Sequence, residues 1–410
     1  MLLNIDSTIY KYMNPNLAKL FHIAQKPERR IIGLMSGTSM DGLDVALCRF
    51  SGNGSETKVA LERFDTVAFG EDIKDEIRKI FAKKEIDFQH LCLLNPWIGQ
   101  LHGRIVLDCL KKWQIDPKEI DIVASHGQTV FHAPKILHRL NKYPNATLQI
   151  GDGDHLAVTT GITVISDFRQ KHCAAGGEGA PLAVYGDYFI FSKKGENRMM
   201  LNMGGIANFT YLPGNLNAQE VFVTDTGPGN TLIDAFARKF FNLPYDKEGR
   251  IAAGGKVHAD LLKYLKKDPF FEAPFPKTTG PELFSLDYVR KAQQRSGTTS
   301  LAPEDLMATL TRFSAETIAE AMLRVCRKDE TYHLYLSGGG MHNPVLISAL
   351  RELLPGFPMD STDTLGIAGD AKEAVLFAIL ANEFLCGQPT DFGSREGVPS
   401  VSMGKISFPQ

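Results

Sequence analysis

Apolar residues cluster first at Arg30–Leu34 and again at Leu43–Phe50, with Gly37-Thr38-Ser39-Met40-Asp41-Gly42 between them. Two such runs around a Gly/Asp turn predict a β-hairpin. A third strand is predicted near Thr57–Phe64, then helices over Glu71–Phe81 and from Asp87 to about Trp113. Asp121–Ala124 reads as a short buried strand running into Ser125-His126-Gly127-Gln128-Thr129. Three strands, then helices, then another strand point to a mixed sheet rather than a purely parallel one. Residues 1–28 precede this pattern as an extension with a short amphipathic helix.

The same grammar restarts near residue 148. Ile162–Ile165 is β-branched and leads into Ser166-Asp167-Phe168-Arg169, and Asn197–Asn202 and Phe209–Leu212 flank a second glycine turn. Helices are predicted at Leu232–Phe241 and Pro303–Lys328, and Tyr332–Leu336 is a strand ending in Ser337-Gly338-Gly339-Gly340. The last long helix, Ala371–Leu385, is apolar on most faces and therefore buried, with Asp370 and Glu373 placed as a capping box in form. The recurring strand, glycine turn and strand point to a duplicated ancestor. The expected division is an extension over 1–28, a first lobe of 29–150 plus 371–410, and a second lobe of 151–370.

Size agrees with two lobes, since 410 residues exceed the usual extent of one core. A hydrophobic share of 43% and a charged share of 22% are ordinary for a globular chain. A formal net charge of -2 supplies no global field for nucleic acid or an anionic membrane. Six cysteines without a CxxC pair suit a reducing compartment. No apolar run reaches the roughly 20 residues that span a bilayer. Asp6, Lys11, Asn14 and Lys19 interrupt what a secretory signal would need, so the cytoplasm is the expected location.

Candidate chemistry gathers at the turns. In the stretch 35–42, glycines admit a close approach to phosphate, Ser36, Thr38 and Ser39 offer hydroxyls, and Asp41 suits Mg²⁺. An ordinary hairpin loop would also use these residue types. Three glycine turns, each directly after a strand, fit a nucleotide held from two lobes. None has Walker A or dinucleotide-fingerprint spacing. Asp225-Thr226-Gly227-Pro228-Gly229-Asn230 leads toward a helix start, which either attracts an anion or is simply capped. Asp167 is expected at the C-terminal edge of a strand, where ligands of α/β folds collect. Arg169 either pairs with an anionic substrate group or braces Asp167. The small-residue loop 174–181 suits close backbone contact with a ligand. His126, His132, His155 and His172 lack zinc spacing and suit hydrogen bonding or packing.

The motifs Met-Ser-Gly-Thr-Ser-Met-Asp-Gly (35–42), Ser-His-Gly-Gln-Thr (125–129), Asp-Phe-Arg (167–169) with Gly-Gly-Glu-Gly-Ala-Pro-Leu (176–182), Asn-Met-Gly-Gly-Ile-Ala-Asn (202–208), Asp-Thr-Gly-Pro-Gly-Asn (225–230), Lys-Thr-Thr-Gly (277–280) and Ser-Gly-Gly-Gly-Met-His-Asn (337–343) occur in this order. Together they resemble the anhydro-N-acetylmuramic acid kinase family, within the actin, sugar-kinase and heat-shock ATPase superfamily. The resemblance runs from about residue 31 to the C-terminus. His172 and Cys173 depart from the family pattern of an acid followed by an aliphatic residue, and Glu178 replaces a common Gln.

The resemblance implies an α/β fold of two ribonuclease-H-like, actin-like ATPase lobes, with mixed sheets flanked by helices and an interlobe cleft. It implies ATP and Mg²⁺ as cofactors and a homodimer, while the charge balance leaves neither nucleic acid nor membrane as an expected partner. The implied reaction adds water to the anomeric carbon of 1,6-anhydro-N-acetylmuramic acid and phosphorylates the released O6. Asp167 then matches the general base and Glu373 an acid of the metal and water network. Gly37, Thr38, Ser39, Met40, Asp41, Gly42, Leu43 and Asp44 match the phosphate segment, with Asp41 at the metal. Gly204 and Gly205 match a second phosphate turn, and Gly338, Gly339 and Gly340 the adenosine side. His126, Gln128, Arg169, Gly177, Asp225, Thr226 and Gly227 are expected on the sugar. Two other readings compete. A levoglucosan kinase would share these motifs, and a nucleotide-gated binding protein would hydrolyse ATP without turning over sugar.

Overall fold

A computed structural model describes residues 13–394 and 397–410. It divides into two compact units, one reaching to Ile190 and taking in Gly366–Gln410, the other Phe191–Leu365.

The first unit begins with helix α1 (Pro15–Gln25), capped by the Asn14 side chain. Strands β1 (Glu28–Ser36), β2 (Gly42–Ser51) and β3 (Lys58–Ala68) follow, then helices α2 (Glu71–Arg78) and α3 (Phe88–Trp113). The hairpin is antiparallel with Met35 opposite Asp44, so 37–41 form its turn. Strand β4 (Ile122–Ala133) extends well past the expected Ala124, because Gln128–Ala133 pair with a strand that the periodicity missed, β5 (Ala146–Ile150). Helix α4 (Gly153–Thr160), strand β6 (Val164–Ser166), helix α5 (Phe168–Ala174) and helix α6 (Ala183–Phe191) come next.

The second unit contains β7 (Asn197–Met203), β8 (Ile206–Leu212), β9 (Phe222–Pro228), α7 (Thr231–Phe241), α8 (Ala259–Leu265), α9 (Leu286–Ser296), α10 (Pro303–Leu323), β10 (Tyr332–Ser337), α11 (Pro344–Leu353) and β11 (Met359–Ser361). The chain then returns to the first unit with α12 (Lys372–Cys386) and β12 (Lys405–Ser407).

One topology serves both sheets. In the first, the order is β12-β6-β4-β1-β2-β3, with β5 beside β4. Strands β1, β2 and β3 are antiparallel neighbours, while β4 and β6 run parallel to β1. In the second, the order β11-β10-β7-β8-β9 repeats this scheme, with β7, β8 and β9 antiparallel and β10 and β11 parallel to β7. Each is a ribonuclease-H-like mixed sheet flanked by helices. Residues 151–190, expected in the second lobe, belong to the first unit, because β6 pairs with β4.

Helix α12 lies on β1 at a position that only glycine permits. A Cβ on Gly33 would stand 1.9 Å from the Ala374 carbonyl oxygen. The capping box expected at Asp370 and Glu373 does not form: the helix starts at Lys372 after the short 3₁₀ turn Gly369–Ala371, with Ala371 at the N-cap. Gly33→Ala should therefore destabilise the protein by about 1–3 kcal/mol, since backbone must move to admit the methyl group. Thermal unfolding checks this; a midpoint within about 1 °C of the parent would contradict so close a seating.

Candidate active site

Strands β1, β4 and β6 are parallel neighbours, so residues after their C-terminal ends meet at one edge of the sheet. The turn 37–41 leaves β1 there, and Asp167 follows β6. Ser125, His126 and Gly127 lie within β4, where its pairing passes from β1 toward β5.

Gln128 ties the first two together. Its Nε2 donates to the carbonyls of Gly37 (2.9 Å) and Thr129 (3.1 Å), and its Oε1 lies 2.6 Å from Ser36 Oγ. The two carbonyls fix which end of the amide is nitrogen. With both donors committed, Gln128 serves the turn rather than the sugar for which it was expected.

At that turn Asp41 is exposed and Asp44 half-buried. Burial pushes the Asp44 carboxyl above its ordinary value, helped by the negative charges of Asp370 and Asp41 and opposed by the hydrogen bond from Thr66. Asp41 and Asp370 are thus each within electrostatic reach of Asp44. Among the described residues no group of three or more acidic, His or Cys side chains is gathered closely enough to hold a metal unaided. Mg²⁺ commonly takes one or two carboxylates and completes its shell with water and phosphate, which this hard-oxygen set fits.

Asp167 occupies the left-handed region, φ 58° and ψ 34°, between β6 and α5, and its side chain caps nothing. Its Oδ2 accepts a hydrogen bond from Lys405 Nζ at 3.0 Å. Arg169 does not brace it. Arg169 Nε instead donates to His126 Nε2 at 2.7 Å, and its NH1 donates to the Gly179 carbonyl at 2.8 Å. Burial pulls the guanidinium below its ordinary value, and the charge of Glu373 opposes that.

Because Arg can only donate, His126 Nε2 accepts and Nδ1–H donates to the Gly127 carbonyl at 2.8 Å. Burial first, then the Arg169 charge, holds this imidazole down to about 3. It is a neutral wall. His172, buried as well, accepts from the Gly179 amide at Nδ1 and faces Tyr185 Oη from Nε2 at 3.1 Å. A Cβ on Gly177 would stand 2.2 Å from its ring. Within the loop 174–181, Gly177 thus packs on His172, and Gly179 holds both His172 and Arg169 through its backbone, which accounts for these two small residues without a ligand.

A cavity of about 460 Å³ opens within the first unit and is lined by Asp167, His126, Lys405, Ser125, Asn95 and Gln170, with Phe88, Leu91 and Leu148 as an apolar side. Ser125 Oγ is buried and has no hydrogen-bond partner among the described residues. Asn95 accepts from the Gly151 amide through Oδ1 at 2.9 Å. Of the residues expected on the sugar, only His126 lines this cavity, together with the expected base. Lys405, Ser125 and Asn95 were missed. Lys405 stands five residues before the last in a segment without periodicity, and only its Gly404-Lys405 pair could have drawn notice.

In the second unit the glycine turns form one knot. The amides of Gly229 and Asn230 donate to the carbonyls of Gly205 and Gly204 at 2.8 Å each, and that of Thr231 to Gly205 at 3.0 Å. These amides before α7 are spent internally, which favours the second of the two readings, a helix start closed by the protein itself, over an anion site at 229–231. Gly338, with φ +80°, has no room for a Cβ, which would lie 2.6 Å from Asn202 Oδ1. Asp225 lies inside β9 rather than at a helix start, and its Oδ2 accepts from the Thr279 amide at 2.8 Å. Thr226 Oγ1 donates to the Ala207 carbonyl at 3.1 Å, and Gly227 has φ +143°. Lys277 Nζ is buried and donates to the carbonyls of Phe270 (2.8 Å) and Phe271 (3.1 Å).

A model of the anhydro-N-acetylmuramic acid kinase family matches residues 29–409. A protein of that name from Pseudoalteromonas atlantica is 55% identical over 97% of this chain and 100% of its own length. Its namesake from Pseudoalteromonas translucida is 51% identical over 97% and 100%. That of Caldanaerobacter subterraneus subsp. tengcongensis is 36% identical over 95% and 100%.

Burial keeps His102, His126 and His172 neutral, at about 4, 3 and 4 against an ordinary 6.5. The unfolded chain takes up protons that the folded one refuses, so stability should fall as pH drops from about 6.5 toward 4. Ring resonances of His126 should not titrate between about pH 5 and 9; a transition in that range would refute the neutral wall.

Proposed function

The chain belongs to the anhydro-N-acetylmuramic acid kinase family, and from that premise we propose how its residues divide the reaction. The enzyme is an ATP-dependent kinase of 1,6-anhydro-N-acetylmuramic acid, acting in peptidoglycan recycling. Water attacks the anomeric carbon and gives its proton to Asp167. The bond from that carbon to O6 breaks with its electron pair left on O6, which bonds to the γ-phosphorus as ADP departs. The product is N-acetylmuramic acid 6-phosphate.

The observation that carries this reading is the Asp167 carboxylate on the wall of a cavity large enough for a sugar, at about 460 Å³. It stands at the sheet edge from which the turn 37–41 departs. A carboxylate base in reach of the water contributes typically 10²–10⁴-fold. Phosphoryl transfer otherwise asks for positioning and charge neutralisation. Amides and hydroxyls of Gly37 to Asp44 take the phosphates in this reading, and Gly204, Gly205 and Gly338 to Gly340 serve the nucleotide. Asp41, with Asp44 nearby, would hold Mg²⁺, which when bound neutralises charge on the phosphate oxygens. Glu373, exposed in the first turn of α12, orders water there.

On the sugar, neutral His126 supplies a flat wall held by Arg169, Ser125 offers an uncommitted hydroxyl, and Phe88, Leu91 and Leu148 suit the acetyl and lactyl methyl groups. Arg169, Gly177, Asp225, Thr226 and Gly227 act behind the surfaces they shape. Six free thiols suit the cytoplasm. No helix among the described residues is long and apolar enough to cross a membrane. A homodimer, with no nucleic-acid or membrane partner, completes the proposal.

Purified protein with ATP and the anhydro sugar should yield a phosphorylated, hydrated product by mass; phosphorylation of levoglucosan alone would reject the cell-wall assignment. Asp167→Asn should cut turnover at least about 100-fold with ATP affinity nearly unchanged, and activity at a tenth of the parent rate or more would remove the base. Gln128→Leu should raise the ATP KM about tenfold, as expected for losing two hydrogen bonds to the turn, while the sugar KM stays put; the opposite pattern would return Gln128 to the sugar.

A further inference from the structure

We propose that Lys405, in the last strand of the chain, is the residue that positions the catalytic carboxylate. The inference rests on the reading of Asp167 as base. Among the described residues, the Lys405 ammonium is the hydrogen-bond partner of Asp167, 3.0 Å from Oδ2. The Asp167 carboxylate caps no amide of its own helix, and the residue sits in a left-handed conformation that residues other than glycine rarely adopt. Its side chain, 35% exposed, would otherwise be free to rotate.

The chain is built to bring the lysine there. Strand β12 pairs antiparallel with β6 so that Lys405 stands opposite Ser166, the residue before the base. Gly404 has φ +133°, and a Cβ on it would meet Ile165 Cγ2 at 2.5 Å. On the other side a Cβ on Gly153 would lie 2.7 Å from Ser166 Oγ and 2.9 Å from Ser407 Oγ. Two glycines thus let β12, β6 and the start of α4 close around one point, and Asp167 and Lys405 both line the cavity beside it. With Oδ2 held, Oδ1 is the oxygen left to take the proton from water.

A base displaced by about 1 Å loses on the order of 100-fold. Lys405→Met should therefore lower kcat about 100-fold and leave KM for ATP and for the sugar within about threefold, the tolerance expected of a residue that binds neither. Lys405→Ala should regain part of the loss when methylammonium is added, because the lysine reaches solvent at 65% exposure. In the Asp167→Asn background, Lys405→Met should cost little more, since it acts through the carboxylate. The anhydro sugar and ATP are the probes, and unfolding midpoints are measured alongside. A kcat within about threefold of the parent would overturn the inference. So would a loss seen only in the sugar KM, an additive loss in the double variant, or a lowered midpoint without amine rescue. Failure of the unmodified enzyme to phosphorylate the sugar would instead count against the proposed function itself.

Discussion

Helix α12 rests directly on β1 because residue 33 has no side chain, with the Ala374 carbonyl filling the place of a Cβ. Much of the first unit's functional edge depends on that contact. It sets Phe377 against His126, with ring centroids 4.6 Å apart, and against Phe168 at 5.5 Å. It also puts Glu373 within electrostatic reach of Arg169 and Lys372 within 2.7 Å of buried Asp187 on α6. Deeper along the helix, Asn382 Oδ1 accepts from buried Arg29 at 2.8 Å, which fixes α12 to the start of β1. An error of a few tenths of an ångström there would be passed to the groups that wall the cavity.

Around this seat, polar side chains act as rigid structure rather than as reagents. His126 and His172 are neutral, each with its tautomer set by a neighbour of fixed role: the Arg169 guanidinium for one and the Gly179 amide for the other. Charge inside a low-dielectric wall would be expensive, so the protein keeps these rings uncharged and uses their geometry. At the proposed site the charged groups are instead partly exposed, as in the Asp167–Lys405 pair.

The second unit reaches the same end with backbone alone. Carbonyls of Gly204 and Gly205 absorb the amides of 229–231, and Gly338 packs where no Cβ fits. Its glycines owe their identity partly to this internal close packing. A glycine-rich turn therefore does not by itself distinguish a ligand surface from a backbone junction, and here the same residues are proposed to serve both.

From the sequence alone came the mixed sheets, the glycine turns after β1, β7 and β10, and the position of Asp167 after a strand. All of these follow from local periodicity and turn chemistry, which neighbouring residues dictate. The family followed from ordered motifs. Tertiary structure alone decided that 151–190 join the first sheet, that Gln128 serves the turn, that Arg169 holds His126 and that Lys405 reaches Asp167. The three side-chain pairings span 43, 91 and 238 residues of chain, and a hydrogen bond between distant residues leaves no periodic trace in either segment. What local chemistry could write, the sequence displayed; partners chosen by the closing of sheets around glycines existed only once the chain had folded.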